Sequence, residues 1–407
     1  AIEIAVVVEP ALDAGAGGLI VSDESAVPSG LNKPVVKVQD VLWSLGDLAA
    51  YYFDWIAHPA YDEYWKQWSI EEHFSQIMVP ALHVAAWYDV FQDGSIRNYA
   101  GIKAHGGSEA ARNGQRLVIS VGGHAGAGPT IGDVDFGKDS VLDTWALGLR
   151  WYDYVLKGVD NGMVREKPVK VFVMGKNVWR DEDDWPPARA KVTRYYLHSN
   201  GKANSLNGDG TLSTMLPTSE PVDRYVYDPA DPVPTQGGAV LGDPVRVPPG
   251  PLDQRKMEAR TDVLVYTTSA FEQDTEVTGQ VTLELFVSSS TVDTDFVGKL
   301  VDVSPDGIAH NLTDGILRAR YRNTMEKAEF MTPGKVYKLV LDLWSTSNVF
   351  LAGHKLRLEV ASSNFPRFSR NLNTGENPQS AAAELKATNI IYHDREHSSA
   401  LVIPIVP

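Results

Sequence analysis

"ALHVAAWYDVFQDG" spans Ala81 to Gly94. A mostly apolar run ends in the aromatic pair Trp87-Tyr88 and then in a carboxylate, Asp89. Farther on, "RLVISVGGHAGAGP" (Arg116–Pro129) repeats the pattern with a histidine, His124. The spacing predicts a strand over Val79–Trp87, a helix over Gln92–His105 stopped by Gly106-Gly107, and a second strand over Arg116–Val121. An amphipathic helix is expected over Ser140–Leu156, closed by Lys157-Gly158. Strands separated by helices of this length imply a parallel α/β sheet.

In open parallel sheets, reactive groups sit just past the carboxyl ends of strands. Asp89 and His124 both take that place, 35 positions apart, about one strand-helix-strand unit. A carboxylate beside an imidazole fixes its tautomer and stabilises the imidazolium formed when the ring acts as a base. The glycines Gly122, Gly123, Gly126 and Gly128 would let the histidine loop bend and pack closely. On pattern alone a second description stands beside this one: Asp89 as a helix cap and His124 as a loop histidine.

Outward from this core the chain changes character twice. Residues 1–40 form an unassigned segment, with "AIEIAVVV" as a candidate strand. Residues 41–78 are aromatic-rich and helical in spacing, broken at His58-Pro59. Their aromatics are candidates for a cleft lining or for helix packing. After Gly162 helical periodicity fades. Short alternating runs such as "VKVFVMG", "VTLELFVSS" and "HKLRLEVASS" follow between Pro, Gly, Asn and Asp turns. This predicts an antiparallel sandwich, a jelly roll, over 166–407, after an α/β part at 79–165.

Composition narrows the function. The 407 residues suit two or three domains. A formal net charge of −15 argues against a nucleic-acid partner, which needs a Lys/Arg surplus. No apolar run reaches the roughly 18 residues of a membrane span. The absence of cysteine excludes disulfides, a thiolate nucleophile and Cys-ligated metal, and leaves the compartment open. The first residues lack an initiator Met and a charged leader, so the chain is expected to begin inside a longer product or after processing.

Several stretches together carry a family resemblance: "HPAYDEYWKQWS", "VPALHVAAWYDVF", "RLVISVGGH", "DVDFG", "RWYDYVLKGVDNG", "VKVFVMGKNVWRDEDDWPPA", "SSSTVDTDFVGKLVDVSPDG", "DGILRARYR" and "STSNVFLAGHKLRLEVASSNFPRFSRNLNTG". In order and spacing they resemble the family of serine hydrolases that includes cocaine esterase, α-amino acid ester hydrolases, glutaryl-acylases and X-Pro dipeptidyl-peptidases. The resemblance implies an α/β-hydrolase domain, a helical cap of which 41–78 would be a remnant, and a C-terminal jelly roll. It places the family's triad acid on Asp89 and its triad base on His124. The approach to the histidine reads "SVGGH" where the family has a bulkier "GPWSH"-like run. The family's G-x-S-x-x-G nucleophile elbow is absent from 1–407, and Ser22, Ser25 and Ser29 lack its flanking glycines. The expectation is therefore the C-terminal two-thirds of a hydrolase of small-molecule esters, amides or peptides. Trp87 and Tyr88 are expected to line the substrate site. No cofactor or metal is expected. The alternatives are a non-catalytic jelly-roll binding module and one chain of a processed two-chain hydrolase.

Three other features are read as structural. "HDREH" (393–397) lacks a third metal ligand, and "NSLNGDGTL" is read as a turn. Asp293, Asp295 and Asp302 are expected to pair with Arg318, Arg320 and Arg322, because buried charges need partners. Finally, a sheet without its front strands has a bare edge. Either Ile2–Val8 pairs there, or the chain associates, as a homodimer for example, through it.

Overall fold

The computed structural model describes residues 50–124, 128–241, 247–377, 381 and 383–407. Its first sheet has four strands: β1 (Ala81–Tyr88), β2 (Gln115–Gly123), β5 (Val169–Val173) and β6 (Val178–Glu182), in that order. A two-stranded hairpin, β3 (Thr130–Ile131) and β4 (Val134–Asp135), follows β2. β1, β2 and β5 run parallel, with Ala81 opposite Gln115 and Leu117 opposite Val169. β1 is an edge strand among the described residues. The candidate strand Ile2–Val8 lies outside them.

Helices connect the parallel strands, as that topology demands. α1 (Ala50–Ala57) and α2 (Glu63–Lys66) precede β1, with a 3-10 turn over Ile70–Gln76 after them. α3 (Gln92–His105) joins β1 to β2 and ends at Gly106, whose N–H bonds the Ile102 carbonyl. α4 (Glu109–Asn113) is capped by Ser108, whose Oγ accepts from Ala111 N at 2.9 Å. α5 (Thr144–Lys157) joins β2 towards β5. Asp143 caps its start and Gly158, at φ +67°, closes it in the left-handed region that glycine enters without strain. The apolar stripe of α5 faces outward: Trp145 is 84% exposed, and Leu149, Tyr152 and Leu156 are exposed too. Trp151 alone is buried on α5.

The second sheet has eleven strands. They are β7 (Lys191–His198), β8 (Thr211–Ser213), β9 (Asp223–Tyr227), β10 (Leu264–Thr267), β11 (Thr275–Ser289), β12 (Asp295–Val303), β13 (Ala309–Arg318), β14 (Tyr337–Phe350), β15 (Lys355–Ala361), β16 (Ala387–Tyr392) and β17 (Ala400–Val406). The main path runs β13-β12-β15-β10-β8-β7-β17-β11-β16-β9, and β14 pairs with β11. The pairings are antiparallel apart from the single contact of β10 with β8. Among the described residues, helix here is limited to α6 (Arg255–Glu258) and a 3-10 turn at Ala319–Tyr321. Long apolar strands such as β11 and β14 place alternate residues (Leu283, Leu285, Leu339, Leu341) at zero exposure.

One expected boundary shifts. "VKVFVMG" reads as a sandwich strand after residue 165, yet β5 pairs in parallel with β2, and β6 folds back on β5. The first sheet therefore ends after Glu182. Alternation reports that one face is buried; it does not report which strand lies alongside. The two sheets share one core, in which Val171 and Phe172 pack with Leu341 and Phe350. A parallel bridge, Met174 to Asn348, and a bidentate Arg180–Glu276 pair at 2.7 and 2.6 Å tie the sheets together.

Candidate active site

Asp89 and His124 leave the carboxyl ends of the adjacent strands β1 and β2, where Tyr88 stands opposite Gly123. Parallel pairing makes those two ends neighbours. His124 Nδ1 lies 3.2 Å from Asp89 Oδ1 and 3.3 Å from Oδ2. The imidazole is 42% exposed and the carboxylate 19%. The residues 125–127 that follow His124 lie outside the described ones.

The backbone before α3 shapes the acid. Gln92 N bonds the Asp89 carbonyl at 3.1 Å, and Phe91 N donates to Asp89 Oδ1 at 2.9 Å. Asp89 thus organises the turn into α3 and meets the histidine with the same carboxylate. The pure cap description does not hold: the N-cap position belongs to Phe91, which makes no side-chain cap bond, and Asp89 holds the turn two residues before it. Phe91, 57% exposed, sets its ring edge-on to His124 at 5.0 Å. The one local signal for Phe91 in the sequence is its place two positions after the acid. On the other side, a Cβ on Gly123 would lie 3.0 Å from Pro249. That proline comes from far along the chain, and no sequence signal brings it here.

Trp87 and Tyr88 do not line an opening. Trp87 is 2% exposed, donates from Nε1 to the Phe172 carbonyl at 2.7 Å, and packs against Trp185. Tyr88 is 1% exposed, and its hydroxyl donates to the Asn311 carbonyl at 3.2 Å. Burial pushes the Tyr88 phenol well above its ordinary range, helped by the charge of Asp302. The end of β1 is covered on both faces, so aromatics expected at a cleft become packing instead.

The aromatics of 51–68 pack chiefly on one another. His58 stacks on Tyr64 at 4.4 Å, and Trp65 Nε1 donates to the His58 carbonyl. Tyr321 and Glu326 hold this group to the C-terminal part through Pro59 and Lys66. Trp68, however, is 74% exposed.

The remaining charged features resolve one by one. Arg318 pairs with Asp295, and Arg320 with Asp293. Arg322 instead meets Glu329, while Asp302 holds His354 and Asn348. In "HDREH", His393 is wholly buried, with Nε2 2.8 Å from Asp223 Oδ2. In "NSLNGDGTL", Asp209 accepts from the Asn200 and Lys202 amides. Among the described residues no group of three or more His, Cys, Asp or Glu is placed to hold a metal ion.

Comparison with known proteins adds a frame. Residues 161–402 match the X-Pro dipeptidyl-peptidase C-terminal non-catalytic domain, and residues 30–126 match the X-Pro dipeptidyl-peptidase (S15 family). The second match takes in both Asp89 and His124. Cocaine esterase from Rhodococcus sp. (strain MB1 Bresler) is 40% identical over 371 residues, 89% of this chain and 62% of that protein. An aminopeptidase from the marine sediment archaeon Thaumarchaeota archaeon superposes with a TM-score of 0.79 at 27% identity, over 91% of this chain and 62% of that one. An α-amino acid ester hydrolase superposes with a TM-score of 0.77 at 24% identity, over 90% and 62%; that likeness concerns the fold. The chain thus spans about three-fifths of the length of these relatives.

Proposed function

Because the chain belongs to the X-Pro dipeptidyl-peptidase (S15) family, we propose that it carries the acid and base of a serine-hydrolase centre acting on small acyl esters, amides or peptides. The observation that carries this reading is the 3.2 Å approach of His124 Nδ1 to Asp89 Oδ1 on neighbouring strand ends. With Nδ1–H held by the carboxylate, Nε2 carries the lone pair that accepts a proton from a serine hydroxyl. That serine Oγ attacks the substrate carbonyl, and His124 then returns the proton to the departing alcohol or amine. Asp89 orients the ring and stabilises the imidazolium that forms.

The nucleophile is assigned to a serine outside 1–407, since no G-x-S-x-x-G elbow stands in this sequence. On this reading the eleven-stranded sheet is a jelly roll that buttresses the centre, and residues 41–78 belong to a helical cap.

The test uses the native protein isolated with any polypeptide that accompanies it. Hydrolysis of a p-nitrophenyl ester and labelling by a fluorophosphonate are both expected, and His124→Ala should cut turnover by roughly 10⁶-fold. Unchanged turnover in His124→Ala would overturn the assignment.

A further inference from the structure

The turn that carries Asp89 is bracketed by two buried side chains that reach into the second sheet. Tyr88, one residue before the acid, donates its hydroxyl to the Asn311 carbonyl on β13 at 3.2 Å. Gln92, three residues after it, is 1% exposed and donates Nε2 to the Ser345 carbonyl on β14 at 2.6 Å. The two acceptors sit on elements that are themselves joined, because Thr313 Oγ1 of β13 bonds the Leu343 carbonyl of β14.

The strand behind Gln92 is specialised at this spot. Trp344 has φ +65°, a left-handed conformation that a bulky side chain rarely adopts and that persists only where the surroundings enforce it. The enforcement is visible. Asp342 accepts from Trp344 N at 2.8 Å, from Gln280 Nε2 at 2.9 Å and from Arg97 Nη2 at 2.9 Å. Arg97 lies on α3, so the same helix that begins with Gln92 grips the kink a second time. The kink presents the Ser345 carbonyl to Gln92.

Asp89 itself has few restraints. Its Oδ1 is shared between Phe91 N and His124, and Oδ2 meets His124 at 3.3 Å. A small rotation of the turn would break an orienting bond that needs close approach.

We propose that Gln92 and Tyr88 are positioning residues: a two-point clamp that fixes the Asp89 turn against the second sheet so that the carboxylate meets His124. The clamp makes the C-terminal sheet a working part of the centre rather than a passive appendage. It rests on the Asp89–His124 pairing proposed above.

The test reads the ring, not turnover. In a free neutral imidazole the Nε2–H tautomer prevails; an acceptor on Nδ1–H reverses that preference. The chain is labelled with ¹⁵N-histidine, and the tautomer of His124 is read from its two nitrogen shifts with the ring neutral. Wild type should show Nδ1–H. Gln92→Met keeps the volume and removes the donor; Tyr88→Phe removes the hydroxyl alone. Each should lower the Nδ1–H to Nε2–H ratio roughly fivefold, the size expected from loosening one hydrogen bond. Asp342→Asn should act in the same direction from the other side of the kink, and serves if Gln92→Met does not fold. Wild-type ratios in all folded variants, with Asp89→Asn alone inverting the tautomer, would overturn the clamp and leave the pair intact. A ring indifferent to Asp89→Asn would instead sink the pairing itself, and the clamp with it.

Discussion

At the scale of single residues, Asp89 and Trp87 show how neighbours in sequence part company in role. Asp89 sits two positions on, past the covered end of β1, with its carboxylate 19% exposed beside an imidazole. Replacing it by Asn leaves a group of the same shape that can donate to the ring and stabilise the wrong tautomer. Asp89→Asn is therefore expected to lower kcat by about 10⁴-fold with KM little changed, measured on the active protein with a chromogenic ester. Trp87 points the other way, into the core. Trp87→Phe would leave the Phe172 carbonyl buried without its donor, at a cost of about 1–3 kcal/mol. Urea denaturation should show that loss, with KM unchanged. A raised KM at unchanged stability would restore Trp87 to the substrate site.

At the scale of elements, α3 and α5 connect successive parallel strands yet are held very differently. α3 buries Gln92, Ile96, Tyr99 and Ile102 against the sheet and clasps the second sheet through Arg97. α5 buries Trp151 alone and turns its apolar stripe to solvent. Its order depends more on its ends, where Asp143 Oδ1 accepts from Ala146 N at 2.9 Å. Removing a cap of this kind costs a helix about 0.5–2 kcal/mol. Asp143→Ala should therefore reduce hydrogen-exchange protection along α5 while α3 and β2 keep theirs. Equal loss in all three elements would show that α5 unfolds only with the whole.

At the scale of the whole molecule, buried ionisable groups in the second sheet give stability a pH dependence with a definite sign. Burial pushes the Glu359 carboxyl up to about 7, with Glu258 adding to the rise and Lys299 opposing it. A carboxyl raised in the folded state favours folding while protonated, so stability falls as pH climbs from its ordinary 4.5 through about 7. His393 behaves alike. Burial lowers it, but Asp223 and Glu220 outweigh burial and raise it above 6.5. Its contribution is complete below 6.5 and is lost as pH rises through the raised value. Asp223 acts at the other end. Burial opposes its charge, but bonds from His393, Ala203 N, Ser199 and Tyr266 hold it below 3.8. Its stabilisation stands above 3.8 and fails only as pH drops through the lowered value. Calorimetry should thus find Tm declining from about pH 5 to about pH 8, and Glu359→Gln should flatten the decline. A rising Tm over that span would contradict the assignment of charge states.

The parallel strand-helix-strand unit is legible in the residues alone, because periodicity and glycine stops record which faces are buried and where helices end. The helix over Gln92–His105 was legible to the residue. Legible too is the emergence of Asp89 and His124 from adjacent strand ends, since parallel pairing across a single crossover leaves little other choice. The rest follows from contacts between distant parts of the chain, which the folded structure sets. It placed β5 and β6 in the first sheet, because alternation does not name a strand's partner. It buried Trp87 and Tyr88, because a layer drawn from residues far along the chain covers the end of β1. It set Arg322 on Glu329 and Asp302 on His354, since charge pairing is chosen by distance in space, which residue spacing along a strand does not encode. And it brought Pro249 beside Gly123, and Asn311 and Ser345 to the back of the Asp89 turn, the last two by hydrogen bonds across 223 and 253 positions that no local pattern carries.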